Sequence, residues 1–251
     1  LTFDELPYQP VDGLHFKGVT FGFQEFGSPS SDAYYGAYGP GGTVFTADPR
    51  LVPNARKLAT VSYEEMLEMS ASGAKVLMLR SVELARNHGV RIHARSTFSD
   101  EEGTWVQEGD SMEQPIVSAV THSENDVVFT LSDIPDRPGV AALIFDVVAA
   151  AQVNVDTIIQ NVVHGNAEMS FSVPAEDVPA TNAALASTRD ELGSFTVEEN
   201  HDLGKVSLIG AGMRSHPGIT ARFFAALANA GVNIDMISTS EIRISVVVDE
   251  A

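Results

Sequence analysis

Part of this chain is written twice. Sliding the sequence along itself by 79 positions brings Pro138, Gly139, Ala142, Phe145, Ala149, Ala151, Val153, Asn154, Asp156 and Ile158 onto Pro217, Gly218, Ala221, Phe224, Ala228, Ala230, Val232, Asn233, Asp235 and Ile237, 10 identities in 21 positions. A repeat of this strength constrains the fold more than any single motif, because each copy must bury its apolar face in the same way. Each copy reads as a strand (Val127–Leu131 and Lys205–Ile209), a loop, a Pro-Gly pair at a helix start, a helix and two more strands. Proline suits a first helical position, where its missing N–H has no intrahelical partner to lose. Val140, Ile144, Val147 and Ala151 fall on one helical face, as do Ile219, Phe223, Ala226 and Ala230. The second strands are placed at Val153–Gln160 and Val232–Ser238, the third at Glu168–Val173 and Ile242–Val248. The first copy continues through a helix, Ala175–Leu192, to a strand, Ser194–Val197. The order β-α-β-β-α-β predicts an antiparallel sheet with both helices on one face, the ferredoxin-like arrangement. The second copy stops at Ala251 after its third strand, so it is expected to be truncated. Its sheet face carrying Ile242, Ile244 and Val246, or the alternate face with Ile234 and Ile237, is then expected to lie bare.

The first hundred residues have a different texture. Residues 1–42 are rich in Gly, Pro, Ser and aromatics without sustained period; short strands are placed around His15–Phe23 and loop over Pro29–Gly42. Val44–Arg50 reads as extended. Ser62 and Glu65 form a capping box that opens a helix to about Ser72. A second helix is placed at Ser81–His88, stopped by Gly89, and Arg91–Ser96 alternates like a strand. Residues 99–114 are polar and acidic and are expected to mark a domain boundary. Glu64, Glu65 and Glu68 are expected on a solvated helix surface, and Trp105 in packing.

The chemistry open to the repeats lies in the loops Asp133–Gly139 and Met213–Gly218. Backbone N–H groups at the following helix start can hold a small carboxylate, aided by the helix dipole. Asp136, Asp156 or Glu241 nearby could take an ammonium group, and a site with both features selects an amino acid. The alternative is that Asp136 merely caps the helix and Pro-Gly merely turns. Ile209-Gly210-Ala211-Gly212-Met213-Arg214 imitates a dinucleotide-binding loop, but its third glycine position is Ser215. The formal net charge of −19 argues against a nucleic-acid partner, which needs clustered Lys and Arg. With no cysteine, thiolate catalysis and Cys-ligated zinc are excluded. Seven histidines without HxH or HExxH spacing give no metal site. No apolar run approaches a membrane span of ~20 residues, and no signal peptide is visible, which favours a cytoplasmic protein. The start at Leu1 rather than Met points to a fragment or processed product.

Phe45–Arg50, Val52–Lys57, Tyr63–Met66 and Gly73–Leu77 resemble the end of an aspartate kinase catalytic domain, and Gly210–Gly218 with Ile237–Ile242 is similar to that family's regulatory signature. The repeats resemble ACT domains, and Leu77-Met78-Leu79-Arg80 resembles an actinobacterial variant. The fold class implied is mixed α+β and α/β: tandem ferredoxin-like (βαββαβ) ACT domains behind a C-terminal remnant of an amino-acid-kinase fold. Residues 1–42 are unassigned, 43–112 belong to the kinase fold, 113–200 to the first ACT domain and 201–251 to a truncated second one.

By this resemblance Phe45, Thr46, Ala47, Asp48, Pro49, Arg50 and Lys75 line an ATP site, with Arg50 and Lys75 as cations. The reaction implied is transfer of the γ-phosphoryl group of ATP, with Mg²⁺, to the side-chain carboxylate of L-aspartate, the first step towards lysine, threonine and methionine. Asp136, Ala141, Val153, Asn154, Val155 and Gln160 form one effector face; Ile219, Thr220, Asn233, Ile234, Ser240 and Glu241 form the other. The effectors implied are L-lysine, L-threonine or both. ACT domains also imply a homo-oligomer or pairing with a catalytic subunit. Residues 1–42 do not match the family's glycine-rich phosphate loop, so the chain alone is expected not to phosphorylate aspartate and to carry mainly the regulatory region. A stand-alone amino-acid sensor without catalysis is the other expectation.

Overall fold

The computed structural model describes residues 14–16, 19–21, 32–35, 43–96, 99–109, 116–163, 165–216 and 218–249. The rest of 1–42, most of the acidic end of 99–114, Pro217 and Ala251 lie outside them. Strands β1 (Leu14–Phe16) and β2 (Val19–Phe21) pair as an antiparallel hairpin. β3 (Asp32–Tyr35) falls where only loop is expected. Downstream come β4 (Thr60–Ser62), α1 (Tyr63–Ala71), α2 (Leu79–Asn87), β5 (Arg91–Ala94) and β6 (Thr104–Gln107). The sheet order is β3-β5-β6-β4, with β5 and β6 antiparallel and the outer pairs parallel. The capping box forms as expected: Glu65 N–H donates to Ser62 Oγ at 3.2 Å, and Ser62 N–H donates to the Glu65 carboxylate at 3.3 Å. Met66, Met69, Val82, Ile92 and Val106 are the buried centre of this layer.

β6 lies inside the polar stretch 99–114. Its central residues Trp105 and Val106 are paired on both sides, and Gly103 just before it is packed so tightly that a Cβ there would lie 2.0 Å from the Ala94 carbonyl oxygen. A polar stretch becomes sheet when neighbouring strands on both sides satisfy its backbone.

By contacts the chain divides into two compact units, residues 1–122 with 207–224 and 239–244, and residues 123–206 with 225–238 and 245–251. After β7 (Ala119–Ser123) the first repeat runs β8 (Asp126–Pro135), α3 (Val140–Ala150), β9 (Ile158–Val163), β10 (Asn166–Pro174), α4 (Val178–Ser187), α5 (Arg189–Leu192) and β11 (Thr196–Asn200). Its sheet order β11-β8-β10-β9, antiparallel throughout, is the ferredoxin-like order. Phe129 and Phe171 stack at 5.7 Å, with Phe145 edge-on to Phe171 at 5.4 Å, over Ile144, Leu131 and Met169. Truncating a ring in such a core costs about 3–5 kcal/mol.

The second repeat is β12 (Leu203–Ile209), α6 (Ile219–Asn229), β13 (Met236–Thr239) and β14 (Arg243–Asp249). Its sheet order is β13-β14-β12-β7. By position β7 corresponds to β11 of the first repeat, so the fourth place is filled by a strand from upstream. β7 falls within the range 113–200 drawn for the first repeat, yet it pairs in the second sheet. Ile244 and Val246, expected bare, are buried, and Ile237 on the alternate face is exposed.

The repeat also locates a strained residue. The residue after each helix C-cap is left-handed: Gly231 at φ 76° and, 79 positions earlier, Gln152 at φ 60°. A side chain there costs ~1–2 kcal/mol, partly offset because glycine loosens the unfolded chain. Gln152→Gly is expected to raise stability by about 0.5 kcal/mol, and Gly231→Gln to lower it by roughly 1 kcal/mol, in denaturant titrations of the two variants.

Candidate functional site

In the first repeat the helix-start loop is built on a β-bulge. β8 does not end at Leu131 but continues to Pro135, with pairing that shifts between Leu131↔Met169 and Ile134↔Ala167. The extra residue is Asp133, at φ 64°. The chain then turns through Asp136–Gly139 into α3, whose N-cap is Gly139 at φ 95°. Gly218 stands at the same point before α6, at φ 96°. Only glycine takes this conformation without strain, so the Pro-Gly pair serves the turn, and Pro138 precedes the cap instead of opening the helix. No side chain caps α3, which removes the capping role considered for Asp136. Its first-turn N–H groups have no intrahelical acceptors, and Asp136 is exposed beside them.

The other first-repeat candidates separate by burial. Val153 is buried, and Ala141 and Val155 pack against the same core. Asn154 and Gln160 are exposed, Gln160 on β9, the edge strand. Asp156 holds an ammonium already: Lys205 Nζ lies 2.9 Å from it and 3.1 Å from Asp126, with the lysine side chain only 3% exposed. A buried cation needs such partners, so Asp156 is a structural anion.

In the second repeat Ile219 is buried in a cluster with Leu208, Met213 and Ile244. Thr220, Asn233, Ser240 and Glu241 are exposed and Ile234 half-buried. Ser240 N–H donates to the Arg243 carbonyl at 2.8 Å and its hydroxyl accepts from Ile242 N–H at 3.3 Å, closing that turn. Between β12 and α6 lies a 3₁₀ turn, Ala211–Ser215. The Gly210 backbone runs so close to its neighbour that a Cβ would sit 2.4 Å from the Ile116 carbonyl oxygen. Close packing, not a dinucleotide, explains that glycine.

Glu65, expected on a solvated face, is buried at 4% exposure. Its carboxylate accepts from Ser62 Oγ at 2.8 Å, from the Ser118 hydroxyl, and from Ala211 N–H at 3.1 Å, in addition to the box contact. One turn on, Glu68 pairs with Arg243 at 3.3 Å. Glu64 does remain on the surface, opposite Arg86 at 3.1 Å.

The candidate nucleotide segment is a tied loop. Phe45 bridges Lys57; Thr46 N–H donates to the Arg56 carbonyl at 2.9 Å, and Arg56 N–H donates to Thr46 Oγ1 at 3.0 Å. The Arg50 guanidinium donates twice to Asp48, Nε at 3.0 Å and Nη2 at 2.5 Å, and Arg50 N–H donates to the same carboxylate at 2.9 Å. These contacts hold the Asp48 carboxyl down at about 2. Ala47 is half-buried; Pro49, Arg50 and Lys75 are exposed, Lys75 in the turn between α1 and α2.

Residues 42–96 match the amino acid kinase family, and residues 129–192 and 206–251 each match the ACT domain. A solved structure of aspartokinase alpha and beta subunits is 42% identical, with TM-score 0.50, over 53% of this chain and 88% of that one. The chain belongs to the aspartokinase family. The regulatory subunit of aspartate kinase from Thermus thermophilus is 36% identical over 54% of this chain and 90% of its own, TM-score 0.51. The aspartokinase of Mycolicibacterium smegmatis is 51% identical over 82% of this chain and 51% of its own length. This chain therefore spans about half of such curated relatives, and it carries the family's ACT region together with a kinase fragment. Among the described residues no helix is long and apolar enough to cross a membrane.

The Asp48–Arg50 pair has a measurable signature. The carboxyl is depressed, so its contribution to stability is complete above 3.8 and is lost as pH falls through about 2. In Arg50→Gln the Asp48 midpoint, followed by carboxyl-carbon NMR, is expected to return towards 3.8. An unchanged midpoint would show that the arginine does not hold it.

Proposed function

We propose that this chain is the feedback-regulatory part of an aspartate kinase, the enzyme that moves the γ-phosphoryl group of ATP to the side-chain carboxylate of L-aspartate. The observation that carries this reading is the duplicated ACT unit joined in one chain to an amino-acid-kinase segment. Regulation then means a coupling free energy of ~1–3 kcal/mol between effector and kinase sites. The nucleotide would meet the Phe45–Arg50 loop, with Arg50 and Lys75 as exposed cations facing phosphate. Arg50 would have to exchange Asp48 for phosphate, a swap between two anions that a guanidinium fork accommodates. Mg²⁺ would enter with the nucleotide, bridging its phosphates.

The effector is proposed to be L-lysine or L-threonine, seated at the helix-start loops with its carboxylate on the first-turn N–H groups. In the first repeat Asp136 would take a cationic group and Gln160 would face the same ligand. At the position of Asp136 the second copy has Ser215, so a second cation on the ligand is better served by the first loop. Calorimetric titration of the chain with each amino acid is expected to give binding by at least one, weakened about tenfold in Asp136→Ala, the loss of one charged contact. Equal affinity in parent and variant would take Asp136 out of the site.

Assembly through sheet edges completes the proposal. β9 is an edge strand, and its Ile158 and Val162 are exposed at 51% and 60%. Pairing with a second copy or with a catalytic subunit would cover them, and a cytoplasmic setting suits such an enzyme.

A second reading is favoured by one comparison: the chain covers nearly all of the Thermus thermophilus regulatory subunit. As a non-catalytic subunit the chain would bind the effector and confer inhibition on a separate kinase. An aspartyl-hydroxamate assay separates the two. Neither reading expects turnover from this chain alone, since positioning contributes ~7–11 kcal/mol to such a reaction and only part of the kinase fold is matched. Restored, effector-inhibited turnover on mixing with a separately made aspartokinase catalytic domain supports the subunit reading.

A further inference from the structure

Two loops of the second repeat, 210–216 and 240–243, are both fastened to one helix outside that repeat. Glu65 in the first turn of α1 accepts from Ala211 N–H, the first residue of the 3₁₀ turn, and Glu68 one turn later pairs with Arg243, the first residue of β14. The loops are also joined to each other, because Gly210 N–H donates to the Ile242 carbonyl at 2.9 Å. Ser118, just before β7, donates its hydroxyl to the same Glu65 oxygen that receives Ala211, and Ser118 N–H donates to the Ile209 carbonyl at 2.7 Å. On its other side α1 continues backwards into β4, whose Thr60 pairs with Trp105 of β6. Trp105 N–H donates to the Ala59 carbonyl at 2.9 Å.

We propose that Glu65 and Glu68 are positioning residues that make α1 the lever between the second repeat's loops and the amino-acid-kinase sheet. Glu65 is the stronger grip. It is buried and fully accepting, so a loop that moves Ala211 away must either leave a buried carboxylate short of a donor, which is costly, or carry α1 with it. α1 in turn cannot move without β4, since Ser62 is both the last residue of that strand and the cap of the helix. This inference rests on the proposed effector role of the loops, but the grip itself exists without ligand.

Hydrogen exchange on the full chain, resolved to single amides by NMR, tests both. Without ligand, Glu65→Gln removes the charge and leaves one acceptor oxygen for the donors of Ser62, Ser118 and Ala211, so the Ala211 amide loses its charge-assisted acceptor. Exchange at the Ala211 amide is expected to rise about tenfold, the effect of losing one charge-assisted hydrogen bond, while amides of β10 keep their rates. Ser118→Ala, which removes one competing donor and leaves the carboxylate, keeps Ala211 protected and serves if the glutamine variant folds poorly. With saturating lysine or threonine, protection in the parent is expected to rise in 211–216 and also in α1, and Trp105 emission to shift. In Glu65→Gln the loop is expected to respond alone. An Ala211 amide that exchanges equally in parent and variant overturns the grip, and an α1 response that survives in the variant overturns the lever. If neither amino acid alters the parent, the effector reading fails, and the ligand-free rates at Ala211 still decide the grip.

Discussion

A strand with one side unpaired is the constraint around which the later part of this chain is arranged. β12 pairs with β14, and its other side carries backbone groups that must find partners. β7 supplies them. Because β7 precedes the whole first repeat, residues 126–200 are an insertion between two adjacent strands of one sheet. β7 is held from its outer side as well, since Val120 N–H donates to the Thr46 carbonyl at 2.8 Å. A five-residue strand thus carries the loop of Thr46 on one side and strand β12 on the other. A piece cut out as residues 113–200 would take with it the strand that the second sheet uses.

What the sequence makes legible is what local periodicity encodes. The 79-residue repeat, the capping box at Ser62 and the strand-helix-strand-strand order are all visible, since each rests on residues a few positions apart. β6 and β7 are not visible. Thr104–Gln107 and Ala119–Ser123 carry too few apolar residues to announce a strand, and their stability comes from partners far along the chain. The reverse error occurs at Val153–Thr157, apolar enough to read as strand. There the chain packs Val153 inward; Asp156 N–H donates to the Ser172 carbonyl, and Thr157 accepts from Ser172 N–H and donates to its hydroxyl before β9 begins.

Charge is the least legible quantity of all. Glu64, Glu65 and Glu68 share one helix and one residue type, yet one faces solvent, one is buried at a junction and one pairs with an arginine at the start of β14. The capping box foretells only the Ser62 side of Glu65. Its two other donors lie 53 and 146 positions away, beyond any local pattern. Lys205 is similar. It occupies an inward position of β12, between buried Leu203 and Ser207, and a lysine placed there has to find anions. Asp126 and Asp156 are those anions, which is why a carboxylate that looks like ligand chemistry in sequence is spoken for in the fold.

The two copies have kept the frame and changed what it presents. Pro-Gly persists in both because a left-handed residue must precede each helix, and Gly139 and Gly218 take nearly the same angle. The loop residue at the matching point of the repeat differs, Asp136 in one copy and Ser215 in the other. The approach to the loop differs too: a β-bulge at Asp133 lengthens β8, whereas β12 ends at Ile209 and a 3₁₀ turn replaces the bulge. That turn places Ala211 within reach of Glu65. The first loop therefore carries an exposed carboxylate, and the second is the one hydrogen-bonded to α1. Duplication supplied two helix starts with the same left-handed glycine, and divergence in the loop before it gave them different surroundings.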